Sequence, residues 1–461
     1  MDKVSDQASP VRLTAPQGKL LRVLGVAFGL AVTVGATIGM GILRTPGDVA
    51  AQLPSAWLFI GVWLIGGLYA LLGTLQVAEL GTMIPRAGGI YVFARRALGS
   101  YAGFVVGCSD WLGTCGTIAA VAIVIGEYTA ALVPVLASRA VSIALSVIVA
   151  FALLQWRGVR WGGRAQELTS LLKAVAFIAL VTACFIFGGG STAGASAAPP
   201  LPTGVTLLTA VVLSLQGVIF TYDGWYSAVY FSEEVREPER NLPRAMIGGV
   251  LLIIGIYLLV NLALVYVLPM SLIAGEKLAV GAAARAVFGA LGGIIISVLA
   301  TVSMLASVNA NLLMAPRTLY AMSRDGLFGL FSRHATTVNA GGTPSVALFL
   351  SAAVAVLFTL SGTFEKVLAL LAFFFVVNYA VTFVAVFVLR RREREAARPY
   401  RAWGYPWSTA LVLLGSLAFL IGAVASDTQN SIYSLLLLAA SYPIYLVLSR
   451  LNKKKQEAGT D

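Results

Sequence analysis

Apolar residues in this chain come in long runs, and short polar stretches separate them. The runs cover about 22–53, 56–84, 101–133, 140–156, 166–187, 204–232, 244–268, 287–322, 344–361, 365–389, 407–425 and 431–449. About 20 apolar residues span the hydrocarbon core of a bilayer as one helix. A membrane strand would instead alternate apolar and polar residues over ~10 positions, and no run does so. The pattern predicts an all-α polytopic membrane protein with 12 transmembrane helices. Runs longer than one membrane thickness imply tilt or a break.

The stretch GGGSTAGASAAPPLPT at 188–203 interrupts the series and reads as a flexible external linker. Segments 1–5 precede it and 6–10 follow. An odd number of spans per half turns the second half upside down, which is the arithmetic of an inverted repeat. The expected organisation is a cytoplasmic N-tail at 1–19, a first repeat at 20–187, the linker, and a second repeat at 204–391. A final helix pair at 405–450 and a cytoplasmic C-tail at 451–461 complete it.

Composition agrees. The 461 residues are 59% hydrophobic and 11% charged, against roughly 25% charged in soluble domains. The net charge of +12 suggests nucleic acid only until its placement is read. Arginines cluster in alternate loops, at Arg86, Arg95 and Arg96; Arg157, Arg160 and Arg164; Arg236, Arg240 and Arg244; Arg324 and Arg333; and Arg390 to Arg401. Lys453 to Lys455 extend the series, while the opposite loops are nearly bare. The positive-inside rule then puts both termini in the cytoplasm. The expected location is the inner (cytoplasmic) membrane, with the lipid bilayer as partner and no nucleic acid. One histidine, His334, excludes a histidine-based metal site or triad, and no metal or cofactor is expected. Cys108, Cys115 and Cys184 lie within apolar runs and read as small buried hydrophobes. No span offers a nucleophile–base pair or HExxH set, so an enzyme is not expected.

Segments 1 and 6 begin the two halves, and each carries a helix-breaking cluster near its middle. Segment 1 holds Gly35-Ala36-Thr37-Ile38-Gly39-Met40-Gly41; each glycine weakens a helix by about 0.8–1.0 kcal/mol relative to alanine. Segment 6 holds Phe220-Thr221-Tyr222-Asp223-Gly224-Trp225. Unwound backbone in hydrocarbon costs several kcal/mol per unpaired group unless it is covered or lines a cavity. A half-helix starting after Gly39 would aim its positive end at a carboxylate. Freed carbonyls near Thr37 and from Phe220 to Asp223 would suit an ammonium. An α-amino acid presents both charges on adjacent atoms. Close packing between helices is the competing reading of such glycines, and for Gly25 and Gly29 it is the preferred one.

At these residues the sequence resembles a known family. Gly35 to Ile42 followed by Thr45-Pro46 resembles the first-helix signature of the amino acid–polyamine–organocation (APC) superfamily. Phe220 to Trp225, then Ser232-Glu233-Glu234 and Pro238 to Ala245, resembles helix 6 and the next loop of its L-type amino acid transporter (LAT) branch. Ala78-Glu79-Leu80, Pro85 to Tyr91, and Arg317 to Gly326 are similar to further family motifs, in the expected order. The resemblance implies a LeuT-like 5+5 inverted repeat with helices 1 and 6 discontinuous, plus two C-terminal helices. It implies sodium-independent amino acid transport by alternating access. Ile38, Gly39, Met40 and Gly41 would bind the carboxylate, and Thr37, Phe220, Thr221 and Asp223 the amine. Phe220 matches the gating aromatic, and Lys173 the lysine that fills the sodium position of coupled relatives. Met40 departs from the usual Ser or Thr. The loop at 134–140 lacks the cysteine that pairs with a heavy chain, so no disulfide-linked partner is expected.

Three charged positions stay open at this stage. Asp223 is read as a substrate contact or an N-cap for the second half of its segment, with proton coupling a weaker option. Asp110 lies deep in segment 3 without a visible partner. Arg44 is read as an i,i+4 pair with Asp48, with the outer vestibule as alternative. The expected function is amino acid exchange or facilitation. The alternative is a polyamine or amine antiporter, or a proton-coupled amino acid symporter, of the same superfamily.

Overall fold

The computed structural model describes residues 19–136, 138–189, 200–327, 332–362 and 364–458. The expected tails at 1–18 and 459–461 and the linker residues 190–199 lie outside the described residues, as do the side chains of Arg333 and Lys453 to Lys455.

Among the described residues the regular elements are helices: α1 (Val26–Thr37), α2 (Gly41–Gln52), α3 (Ala56–Met83), α4 (Ile90–Leu98), α5 (Ser100–Leu132), α6 (Ala140–Trp156) and α7 (Val159–Phe187). The second half adds α8 (Gly204–Thr221), α9 (Pro238–Val267), α10 (Met270–Ile273), α11 (Ala279–Phe288), α12 (Leu291–Arg324), α13 (Ser332–Ala335), α14 (Ser345–Ser361), α15 (Phe364–Arg392), α16 (Trp407–Ser426) and α17 (Thr428–Ala458). Among the described residues nine helices are long and apolar enough to cross a membrane, and α1 with α2 forms one further span bent by 47°. Two of the twelve expected segments become the 17-residue helices α6 and α14, each about 26 Å long at 1.5 Å per residue.

Several elements differ from the sequence reading. α7 starts at Val159 rather than 166, because Gly162 and Gly163 are tolerated in its first turns once buried and Arg160 and Arg164 point outward. α4 and α11 are short helices inside stretches read as loops. Segment 6 does not resume as an α-helix: five turn residues follow α8, then a 3-10 helix at Ser227–Phe231.

Gly29 meets α9 so closely that an added Cβ would lie 2.5 Å from Ala245 Cβ, whereas Gly25 has open space. The packing reading therefore holds for Gly29 and not for Gly25. Arginine loops gather at one end of the bundle. There Arg317 and Glu234 form a fully buried pair (2.8 Å), Arg324 meets Glu233 (2.9 Å) and Arg86 meets Asp325 (3.0 Å). At the same end Glu79 in α3 accepts from Arg390 in α15 and from the Ala402 N–H (2.7 Å).

Candidate functional site

The two interrupted segments lie against each other along their length. Leu24, before α1, pairs its backbone with Glu234 (3.0 Å) and Arg236 (2.9 Å), beyond the 3-10 helix. At the other end Thr45 Oγ1 and Thr221 Oγ1 are 2.8 Å apart. Between these points the breaks interlock. An added Cβ at Gly224, where φ is +103°, would lie 2.8 Å from Thr37 Oγ1 and 2.9 Å from Thr37 N. One at Gly41 would lie 2.9 Å from Thr221 Cγ2. At Gly224 glycine is required because backbone meets backbone and L side chains rarely adopt that φ, whereas at Gly41 the Thr221 side chain takes up the space.

Ile38, Gly39 and Met40 form the first break. No side chain caps the start of α2, so its first N–H groups lack partners inside the helix and open on the gap. Beyond Gly39 an added Cβ would meet nothing within 4 Å. Thr37 Oγ1 is buried and has no hydrogen-bond partner. Orphaned buried hydroxyls are rare in folded proteins, and this one faces the second break.

The carbonyls at the end of α1 are held from outside. Lys173 in α7, 1% exposed, donates its ammonium to Gly35 O (3.0 Å) and Ile38 O. Ser303 in α12 donates to the same Ile38 O (2.9 Å). Lys173 thus joins α12 through a shared acceptor rather than by a hydrogen bond to it. Gln166 and Ser170 both donate to Ala31 O (3.2 and 2.7 Å). With Lys173 they form an i, i+4, i+7 stripe, one face of a helix. An added Cβ at Gly35 would fall 1.8 Å from Gln166 Nε2. Sequence reasoning took Lys173 alone; the shared helical spacing with Lys173 was the signal for the other two.

Tyr257 in α9 was missed entirely. Its hydroxyl lies 3.0 Å from both Thr37 O and Thr221 O, and its single proton serves the two broken ends together. One lone pair of each carbonyl is therefore occupied. Phe220 O accepts the Asp223 N–H (3.1 Å). A tyrosine in a leucine-rich helix carries no pattern that marks it.

Asp223 does not cap a helix, because no α-helix follows it and the 3-10 helix has no side-chain cap. Its carboxylate instead accepts the Tyr379 hydroxyl from α15. Asp223, Phe220, Phe375, Tyr379 and Phe419 line a cavity of about 260 Å³. The Phe220 ring is 60% exposed and does not cover the gap in this conformation. Arg44 and Asp48 are both exposed and form no ion pair, which corrects that expectation. Asp110 finds its partners in Tyr230 (2.7 Å) and Thr318 (3.1 Å). Asn309 bonds Gln155 and Gln166 across three helices, and Asn311 bonds Ser307 of its own helix.

Among the described residues no group of acidic, histidine or cysteine side chains is arranged to hold a metal. The site offers carbonyl oxygens, free helix-start N–H groups, one orphan hydroxyl and one carboxylate beside aromatics. Groups of these kinds can pair with both charges of a small dipolar solute.

The family model described as amino acid permease matches residues 24–442. The serine/threonine exchanger SteT of Bacillus subtilis (strain 168) is 29% identical over 435 residues, covering 92% of this chain and 96% of that protein. The b(0,+)-type amino acid transporter 1 of Mus musculus is 25% identical over 441 residues, covering 92% of this chain and 86% of that protein. Its Homo sapiens counterpart is 24% identical over 457 residues, covering 97% and 91%.

Proposed function

The chain belongs to the amino acid permease family, a family of transporters and not of enzymes, and on that premise we propose a sodium-independent exchanger or facilitator that binds the zwitterion between its two breaks. The observation that carries this reading is the interlock of residues 35–41 with 220–224, beside uncapped N–H groups and the orphan Thr37 hydroxyl. The substrate carboxylate sits on the N–H groups of Gly39, Met40 and Gly41, next to Ile38. Its ammonium takes the remaining lone pairs of Thr37, Phe220 and Thr221, with Asp223 nearby.

Lys173 places its side-chain nitrogen on the Gly35 and Ile38 carbonyls. A sodium ion coordinated by those oxygens would compete with it, and hence transport runs without sodium. The antiparallel run of residues 24–37 beside 224–235 supports a LeuT-like 5+5 inverted repeat of twelve spans, with the domain limits expected from sequence. The arginine-rich end is read as cytoplasmic, with both termini on that side of the inner membrane. Phe220 swings over the bound substrate from the opposite side, and the arginine-end ion pairs then release. The relative named an exchanger favours exchange, and no disulfide-linked heavy chain is required.

The test is a thermal-shift screen of the solubilised protein against amino acids and polyamines, followed by exchange of the best ligand in liposomes. A ligand selective for the folded form raises its stability by RT ln(1 + [L]/Kd). Stabilisation by at least one α-amino acid is expected, with exchange equal in sodium and potassium media. A strict sodium requirement would remove the assignment of Lys173.

The aromatic cavity beside Asp223 supports a second reading, an amine or polyamine antiporter. Stabilisation by putrescine or agmatine, without any response to leucine, alanine, serine or threonine, decides for it. Asp223→Asn separates substrate contact from a structural role. Contact predicts lost preference for cationic over neutral ligands; an unchanged ligand profile excludes it.

A further inference from the structure

At the arginine-rich end lies a polar cavity of about 350 Å³ that the two breaks do not touch. Arg86, Arg95, Arg96 and Ser100 line it together with a single carboxylate, Asp325. Asp325 accepts from Arg86 (3.0 Å), from Tyr91 (2.9 Å) and from Arg95. Arg86 and Arg95 each spend one terminal nitrogen on it. Arg96 gives Nε (3.1 Å) and Nη2 (2.6 Å) to Glu393, just beyond α15. Among the described residues the other guanidinium nitrogens of these three arginines have no acceptor. Arg392 arrives from the end of α15 and donates to Ala97 O (3.0 Å). Four guanidiniums thus gather around two carboxylates, and a guanidinium fork fits the oxygens of a phosphate. The lining arginines are 30–41% exposed, so an anion can reach them from outside.

The depth of the cavity selects the kind of phosphate. Three membrane-crossing helices end around it: α3 at Met83, α5 at Ser100 and α15 at Arg392. Lipid headgroups lie at that level, just outside the hydrocarbon. Trp403 and Trp407, 76% and 81% exposed, stand just after α15, as residues of an interfacial aromatic belt do. Leu98, 40% exposed, closes α4 two residues before Ser100 and offers an apolar edge to an acyl chain. A soluble anion has no use for these apolar neighbours. Basic pockets between membrane helices take acidic headgroups by the same combination of charge and depth. We propose that this cavity holds the phosphodiester of an acidic phospholipid from the leaflet at the arginine-rich end. Arg86, Arg95 and Arg96 hold its oxygens with the N–H groups left over from Asp325 and Glu393, and Ser100 adds a hydroxyl. The ion pairs to both carboxylates stay in place when the headgroup enters. This site is separate from the two breaks and does not depend on which solute is carried.

The experiment uses the full chain in detergent, freed of native lipid. It is titrated with phosphatidylglycerol or with phosphatidylcholine, and bound lipid is counted by native mass spectrometry. Phosphatidylglycerol should bind at least tenfold more tightly than phosphatidylcholine, whose phosphate carries its own cation. Arg86→Gln combined with Arg96→Gln should weaken phosphatidylglycerol at least tenfold. Arg240→Gln, exposed and outside the cavity, should change it less than twofold. Thermal midpoints without lipid report whether the variants fold. If the double variant does not, phosphatidylglycerol with a photoreactive headgroup decides on wild type, where cross-links should fall within residues 84–100. Inorganic phosphate at equal concentration should not displace the lipid. Equal affinity for the two lipids overturns the proposal, as does unchanged phosphatidylglycerol binding by the folded double variant or cross-linking confined to other segments. Displacement by inorganic phosphate also overturns it, and gives the cavity to a soluble anion instead. Amino acid exchange is read separately, so each of these failures leaves the transport reading standing.

Discussion

At Gly224 the chain turns with φ +103° and brings its backbone against Thr37 of the other break. A non-glycine residue held at such a φ carries about 1–3 kcal/mol of strain, and here the Cβ also has nowhere to go. Gly224→Ala is expected to lower the thermal midpoint and to weaken substrate affinity at least tenfold, read from ligand-induced thermal shifts. Unaltered affinity would mean that the apposition of the breaks does not shape the site. Lys173 acts from one helix away. Lys173→Met keeps much of its bulk but leaves the Gly35 carbonyl without that donor and Ile38 with Ser303 alone. A buried polar group deprived of its partner costs about 1–3 kcal/mol. Exchange by the variant in liposomes should fall at least tenfold. Exchange at the wild-type rate would show that the lysine is dispensable for holding the break.

Helices meet through pairs that neither helix could bury alone. Arg317 of α12 and Glu234 beyond the 3-10 helix are both fully buried and joined by two hydrogen bonds of 2.8 and 2.9 Å. Phe231 lies 4.8 Å beneath the guanidinium. Removing one partner of such a pair leaves a bare buried charge, at about 3–5 kcal/mol. Glu234→Gln should therefore lower the thermal midpoint in detergent by many degrees, and Arg317→Lys should recover little of the bidentate geometry. A midpoint within a degree of wild type would show that water reaches the pair. The same logic explains α7, whose Gln166, Ser170 and Lys173 are buried only because α1 supplies Ala31 and Gly35 carbonyls opposite them.

Across the whole molecule, the arginine-rich end is closed while Phe220 stands open toward the other. Asp325 joins α12 to the α3–α4 region through Arg86, Tyr91 and Arg95. Partial burial pushes its carboxyl up, but Arg86, Tyr91 and Arg95 outweigh this and hold it below the usual range. A carboxyl lowered by folding stabilises the protein above its unfolded pKa, about 3.9. That contribution is lost only as pH falls through the still lower folded value. The closure should therefore be constant from pH 5 to 8. Asp325→Asn should speed maleimide labelling of Ser227→Cys roughly fivefold, since half-exposed pairs are worth about 1 kcal/mol. Equal labelling rates would remove Asp325 from the closure. What the sequence determined by itself was membrane residence, the positions of most of the long helices and the two breaks. Long apolar runs and paired glycine clusters are local properties, and a bilayer enforces them wherever they fall. Only the tertiary structure decided which groups serve those breaks. Tyr257, Ser303, Gln166 and Ser170 come from helices remote in sequence, and nothing local marks a hydroxyl that will meet a broken helix. It also replaced two local readings, the Asp223 cap and the Arg44–Asp48 pair. A side chain within reach of a sequence neighbour still goes to the partner, or to the solvent, that the packed bundle presents.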